Sequence, residues 1–328
     1  MVPPASSLLS EPASSPSSDD DEGPSHEAEG FDVKRDLRGI IASLHTPFTA
    51  DDALDETSLA RSVEQSARAG CCGVLVAAVA GEVGSLIPEE RRRMLKVVRE
   101  AAPERLRIVA GVSTADVANS IRLAEEAARA GADMVLWQPP PGLDENALAQ
   151  ALGSLGAQRP VMLQDLDWSG SGLDPAMLGR LAERFPALQA VKIETVPAGP
   201  KYSAVQAACG DRLHLSGGWA AMQMMDGLAR GLDAFVPSGI LPVYVRIFHL
   251  FFKGRQAEAR DLFERALPII AFSNQHIHIS IRFWKYVRLM QGIFSSDGAR
   301  PPIPPLDAVQ GQEAARLAKR AIAMENEV

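Results

Sequence analysis

Eight short apolar runs, each followed by an amphipathic stretch, limit what this chain can fold into more than any other feature. The runs occupy residues 39–44, 73–78, 106–112, 133–137, 160–163, 188–193, 212–215 and 234–237. Near-continuous apolar stretches of this length suit parallel strands covered on both faces, because a strand with one wet face would alternate apolar and polar. The stretches between them carry helix start signals. Asp55-Glu56-Thr57, Pro88-Glu89-Glu90, Thr114-Ala115-Asp116 and Asp174-Pro175 each precede apolar residues at helical spacing. Acids near the first turn and proline at its first position favour helix initiation. The Ala-Gly pairs at 69–70 and 130–131 suit glycine-terminated helices leading into the next strand. Eight strand–helix units in series predict an α/β fold, a closed (β/α)₈ TIM barrel, with an open doubly wound sheet as the alternative.

Three helical stretches, at about 256–271, 275–292 and 311–325, follow the eighth run and exceed what one closing helix requires. They predict a C-terminal helical extension. The organisation read from the sequence is a disordered acidic Ser/Pro-rich tail over 1–30, a barrel over 31–252, and a helical subdomain over 253–328 packed on it. The tail carries the run Asp19-Asp20-Asp21-Glu22 and little that could be buried.

The 328 residues are 46% hydrophobic, ample for a large core, and carry a formal net charge of −8. That charge gives no global basic field for nucleic acid or an anionic membrane. No run of eighteen apolar residues marks a membrane span, and the N-terminus lacks a basic-then-apolar leader. Cys71, Cys72 and Cys209 form no C-x-x-C pair and read as structural thiols of a reducing compartment, so a cytoplasmic location is expected.

Chemistry centres on Lys192, in Leu188-Gln-Ala-Val-Lys-Ile-Glu194. Strand alternation places Lys192 on one face with Ala190 and Glu194, and Val191 and Ile193 on the other. In a barrel the first set points inward near the C-terminal mouth, where barrel active sites lie. An ammonium there is costly unless paired or deprotonated. The neutral amine attacks a ketone and forms an iminium that acts as an electron sink. Lys192 snorkelling into solvent from a strand end is the plainer reading of the same spacing.

Read in order, the segments resemble the dihydrodipicolinate synthase / N-acetylneuraminate lyase family of Schiff-base aldolases. The matching pieces are Ala42-Ser-Leu-His-Thr46-Pro47-Phe48, Gly81-Glu82-x-x-x-Leu86, Ala110-Gly111-Val112-Ser113 and Trp137-Gln-Pro139-Pro140, then Val191-Lys192 and Leu215-Ser216-Gly217. The resemblance runs from Gly39 to about Asp307. It implies that Lys192 forms the imine and that a 2-oxo acid such as a 2-keto-3-deoxy sugar acid is the substrate. It implies no metal and no organic cofactor, and a homotetramer or dimer.

Departures from the family pattern are equally informative. The Gly-Thr-Thr-Gly-Glu loop is replaced by Ala78-Val79-Ala80-Gly81-Glu82, so only backbone amides of Val79 and Ala80 remain to hold a carboxylate, with Thr46 nearby. Gln164 stands at the tyrosine position, and an amide cannot exchange a proton near neutral pH. The usual arginine is absent from Ser169-Gly-Ser-Gly172, and Pro140-Pro141-Gly142 replaces an aromatic pair. These losses argue against the family's lysine-biosynthesis reaction.

Glu194 is the first candidate for a replacement acid–base group, followed by Asp165 and Asp167 on the segment that replaced the tyrosine. Gln164, Ser216 and Pro237 complete the expected substrate-binding set. Trp168 and Trp219 are candidates to wall the mouth or to pack against the helical extension. His276-Ile-His278 lacks the companion ligands of a zinc site. The segment 80–84 lacks the Lys-Ser/Thr of a P-loop, and Lys201 lies beyond the strand. The leading expectation is a lysine-imine lyase. A barrel that binds a ligand without turnover is the second, and an isomerase or hydrolase using Glu82 or Glu194 as base is the third.

Overall fold

The computed structural model describes residues 31–328; the acidic segment read as a disordered tail lies outside them. A short helix, α1 (Val33–Asp36), precedes β1 (Gly39–Ser43). The chain then alternates through α2 (Glu56–Arg68), β2 (Gly73–Val76), α3 (Pro88–Ala101), β3 (Arg107–Gly111), α4 (Val117–Arg129) and β4 (Met134–Trp137). It continues through α5 (Glu145–Gly156), β5 (Val161–Asp167), α6 (Pro175–Arg184), β6 (Leu188–Thr195), α7 (Ala198–Cys209) and β7 (His214–Gly217). The last barrel unit is α8 (Met224–Ala229), β8 (Ala234–Phe235) and α9 (Leu241–Phe252). The eight strands pair in chain order and β8 closes on β1, all parallel. The fold is a (β/α)₈ barrel.

The start signals act as anticipated. Side chains of Asp55, Asp116 and Asp174 accept hydrogen bonds from amides in the first turns of α2, α4 and α6. Capping of this kind contributes on the order of 1 kcal/mol per helix. Gly70 and Gly131 take φ +85° just past α2 and α4, a conformation that costs glycine nothing.

Two element boundaries differ from the sequence reading. β5 runs on to Asp167, past the apolar run, because its polar C-terminal half is hydrogen-bonded in register with β6 as far as Asp167 opposite Thr195. β6 likewise continues to Thr195. Cross-strand pairing rather than hydropathy extends both strands.

Beyond the barrel, α10 (Gln256–Ser273), α11 (Ile277–Met290) and α12 (Ala308–Asn326) share the same hydrophobic cluster as α9 and the strands. The α10–α11 corner reaches the barrel mouth, where Asn274 Nδ2 donates to the Trp219 carbonyl at 3.0 Å. Among the described residues no helix is long and apolar enough to cross a membrane.

Candidate active site

Register alone sets three of the expected site residues in one row. Gln164 on β5 lies opposite Lys192 on β6, which lies opposite Ser216 on β7. Two residue pairs further toward the C-terminal end, Leu166 lies opposite Glu194. Val191 and Ile193 turn outward into the apolar layer, so Lys192 and Glu194 point inward, as alternation requires.

Lys192 is 5% exposed and Glu194 8%. The Lys192 Nζ donates to Glu194 Oε2 at 2.9 Å, and Gln164 Nε2 donates to the same oxygen. The other oxygen, Oε1, accepts from the Trp219 backbone N–H at 2.8 Å. Burial by itself raises the Glu194 carboxyl; the Lys192 charge, the Trp219 amide and Gln164 outweigh it and hold the carboxyl below its usual range. Lys192 is therefore a paired, buried cation rather than a snorkelling one.

The loop after β7 is shaped around this carboxylate. Trp219, Ala220 and Ala221 all adopt left-handed backbone, with φ of 50°, 49° and 56°. Non-glycine residues there cost on the order of 1 kcal/mol each and persist only where their surroundings impose it. The arrangement aims the Trp219 N–H at Glu194 and stacks the Trp219 ring edge-on to Trp168, with centroids 4.3 Å apart.

These groups line one pocket of about 50 Å³, several times the roughly 10–15 Å³ that a single water needs. Gln164, Lys192 and Glu194 form its floor, Ala78, Val79 and Ala80 one wall, and Trp168 and Trp219 another. Ser273, Asn274, His276 and Ser280 form the roof. Val79 and Ala80 open a 3₁₀ turn, and the first amides of such a turn have no partner within it. They supply donors without hydroxyl side chains. A larger hollow of about 540 Å³, lined by residues 139–141, shares Ala78, Val79 and Gln164 with the pocket.

Other residues proposed from the sequence fall elsewhere. Thr46 does not line the pocket: its hydroxyl donates to the Gly81 carbonyl at 2.5 Å, so it braces the loop rather than a substrate. Pro237 is also off the pocket, its carbonyl accepting from Ser43 N–H at 2.8 Å, while its neighbours Val236 and Ser238 do line it. Ser216 is fully buried in the Lys192 row but does not reach the pocket surface.

Asp165 is not a loop acid. It sits on β5 pointing away from the pocket, ion-paired with Lys201 at 2.9 Å. Asp167, at the end of the same strand, accepts from Ser169 N–H and the Ser169 hydroxyl, both at 3.0 Å. Glu82 is withdrawn as a free base, because it is ion-paired with Lys285 from α11. The Lys285 Nζ also lies 4.4 Å from the centroid of the Phe48 ring.

The roof was not legible in the sequence. His276, noted only for its spacing from His278, accepts from the His278 N–H through Nδ1 at 3.2 Å and so caps α11. Among the described residues no group of three or more His, Cys, Asp or Glu could hold a metal ion.

A (β/α)₈ barrel with a lysine–glutamate pair buried at its C-terminal mouth defines the structural class. The model of the dihydrodipicolinate synthetase family matches residues 36–321, and the chain belongs to that family. The 4-hydroxy-tetrahydrodipicolinate synthase of Mycolicibacterium paratuberculosis is 35% identical over 144 residues, covering 42% of this chain and 47% of that one. The chain thus spans about half the length of the curated relatives it matches. Among solved structures, dihydrodipicolinate synthase from Rhodopseudomonas palustris superposes with a TM-score of 0.81 at 26% identity, covering 87% of this chain and 98% of that one. N-acetylneuraminate lyase from Proteus mirabilis gives 0.77 at 21% identity over 87% and 99%, a likeness of fold.

Proposed function

We propose that the protein is a lysine-imine lyase acting on a 2-oxo acid, with Lys192 as the amine and Glu194 as its proton partner. The observation that carries this reading is the 2.9 Å Lys192–Glu194 contact on the floor of the pocket that Val79 and Ala80 also line. Glu194 takes a proton from the ammonium, and the freed amine adds to the ketone carbon. The carbinolamine hydroxyl then leaves as water, protonated by Glu194, and the C=N bond of the iminium forms. Charge balances: one positive charge on nitrogen enters and one remains, and Glu194 ends ionised as it began.

The Val79 and Ala80 amides meet the substrate carboxylate, and the Gln164 amide orients Glu194. The rest of the molecule extends toward the proline-lined hollow. Relatives named 4-hydroxy-tetrahydrodipicolinate synthase support the lyase class. Gln164 in place of a phenol argues for a reaction other than theirs, such as cleavage or dehydration of a 2-keto-3-deoxy acid.

Borohydride reduction in the presence of pyruvate and a panel of longer 2-oxo acids tests the imine. A mass increase mapped to Lys192 supports it, and no adduct across the panel overturns it. One observation favours a second reading, a ligand-binding barrel without turnover: Gln164 leaves the pocket floor without a phenol. Thermal stabilisation by 2-oxo acids that is equally strong in Lys192→Ala, with no turnover, would select that reading.

A further inference from the structure

The pocket over Lys192 is small, and the space beside it bears on what a substrate carries beyond its reacting end. At about 50 Å³ the pocket holds roughly four water-sized groups, enough for a carboxylate and a ketone and little more. Its roof is tied down: the Ser273 hydroxyl donates to the Ile270 carbonyl at 3.2 Å, and Asn274 to that of Trp219. A longer molecule has a roomier continuation past Ala78, Val79 and Gln164, in the hollow of about 540 Å³ that shares those residues.

That hollow carries no charge. Among the described residues lining it there is no Asp, Glu, Lys, Arg or His. Three of its polar side chains are already engaged. Ser113 Oγ accepts from the Gln138 N–H at 2.7 Å, Thr114 Oγ1 donates to the Asp116 carbonyl at 2.6 Å, and Gln164 donates to Glu194. Pro139, Pro140 and Pro141 in succession bring pyrrolidine rings and no backbone N–H. Val79, Val83 and Leu136 add further apolar surface.

Nor does the pocket itself hold a spare cation, because Lys192 is paired with Glu194 at 2.9 Å. A second anionic group on the substrate therefore meets neither a counter-charge nor a ready donor, and burying it unpaired is strongly unfavourable. A chain of hydroxyls gives up its hydrogen bonds to water with few replacements. An apolar group gains by the same transfer.

We propose that the hollow is the subsite for an uncharged, apolar substituent. The protein thereby selects 2-oxo monoacids with an aryl or branched-alkyl tail over dicarboxylates, phosphorylated acids and polyhydroxylated acids. This selection rests on the lysine-imine reading only for where the oxo acid end sits.

Calorimetric titration of the full chain with four probes tests the subsite without requiring an imine. The probes are pyruvate, 4-phenyl-2-oxobutanoate, 2-oxoglutarate and 2-keto-3-deoxygluconate. The phenyl compound is expected to bind at least about tenfold more tightly than pyruvate, as apolar pockets discriminate by added apolar atoms. The other two bind no more tightly than pyruvate. If either of them matches the phenyl compound, the proposal is overturned. Borohydride treatment of the same mixtures reports the imine separately. A phenyl preference with no adduct sinks the imine and keeps the subsite, whereas adducts without that preference do the reverse. A crystal grown with 4-phenyl-2-oxobutanoate locates the tail: a ring against the three prolines supports the assignment, and a ring stacked on Trp168 overturns it.

Discussion

Gly218 passes so close to Glu194 that a Cβ on the glycine would stand 2.2 Å from the glutamate Cγ. The carboxylate that pairs with Lys192 is therefore seated against bare backbone. Gly218→Ala is expected to push Glu194 off Lys192 and to slow imine trapping with pyruvate by roughly 10- to 100-fold. Quenched-flow borohydride trapping measures it; an unchanged rate would show that the seat is not needed.

Glu194→Gln removes the proton partner while keeping the shape of the side chain. Trapping on Lys192 should fall by roughly 10²–10⁴-fold. The same variant has a pH signature. The Glu194 carboxyl is held below its ordinary value of 4.5 in the folded chain, chiefly by Lys192 against the opposing effect of burial. Its stabilising contribution is thus fully present above that value and is lost as pH falls through the folded-state pKa. Thermal unfolding of wild type and variant should differ most near neutrality and converge as pH drops below about 4.5.

Asp165→Asn distinguishes a structural acid from a catalytic one. Asp165 and Lys201 are buried partners, 2% and 6% exposed in their side chains. Breaking the pair leaves Lys201 uncompensated and should lower stability by about 3 kcal/mol. Pyruvate trapping on Lys192 should stay within about twofold of wild type at a temperature where the variant is folded, since Asp165 points away from the pocket. Denaturant unfolding and trapping on the same sample check both halves.

Lys285→Met breaks the Glu82–Lys285 ion pair beneath the loop that carries Val79 and Ala80. Loss of one partner should cost about 3–5 kcal/mol at neutral pH, and adding Glu82→Gln should recover part of it. Burial, only partly opposed by Glu82, brings the Lys285 amine down to about 8, against an ordinary 10.5. Between those values the unfolded chain holds more protons than the folded one. This group's contribution to stability therefore rises with pH across that window. Chemical denaturation of wild type and Lys285→Met from pH 7 to 10 should show the wild-type advantage growing.

The chain contains four tryptophans, and Trp137 and Trp284 are buried while Trp168 is 38% exposed beside Trp219 at the mouth. Titration with pyruvate should change the long-wavelength emission, and Trp168→Phe should remove most of that change. Fluorescence spectra across the titration suffice to check it.

The barrel and its lysine were legible because both depend on local rules. Apolar runs write out buried parallel strands, and period-two alternation assigns Lys192 and Glu194 to the same face. Asp165 and Thr46 were misplaced for the opposite reason. Hydropathy ended the fifth strand at Leu163, whereas cross-strand hydrogen bonds carry it to Asp167, which turns Asp165 outward on to Lys201. Thr46 is expected at the substrate from its place in the family-like segment 42–48, but its hydroxyl is spent on the Gly81 carbonyl, a contact that only the folded loop creates. The roof residues Asn274, His276 and Ser280 had no sequence signal, since about 80 residues separate them from Lys192 and only tertiary packing of α10 and α11 unites them.

That separation gives the α10–α11 corner a meaning beyond shape. The strand residues that would make and break the imine and the helical residues that close over the ligand belong to different stretches of chain. They meet through few bonds, such as the one from Asn274 to the Trp219 carbonyl. Corner substitutions that keep Asn274, whose bond steadies the Trp219 segment holding Glu194, can therefore change which molecules are admitted while leaving the lysine and its carboxylate untouched, so selectivity and reactivity are free to evolve, or to be engineered, one at a time.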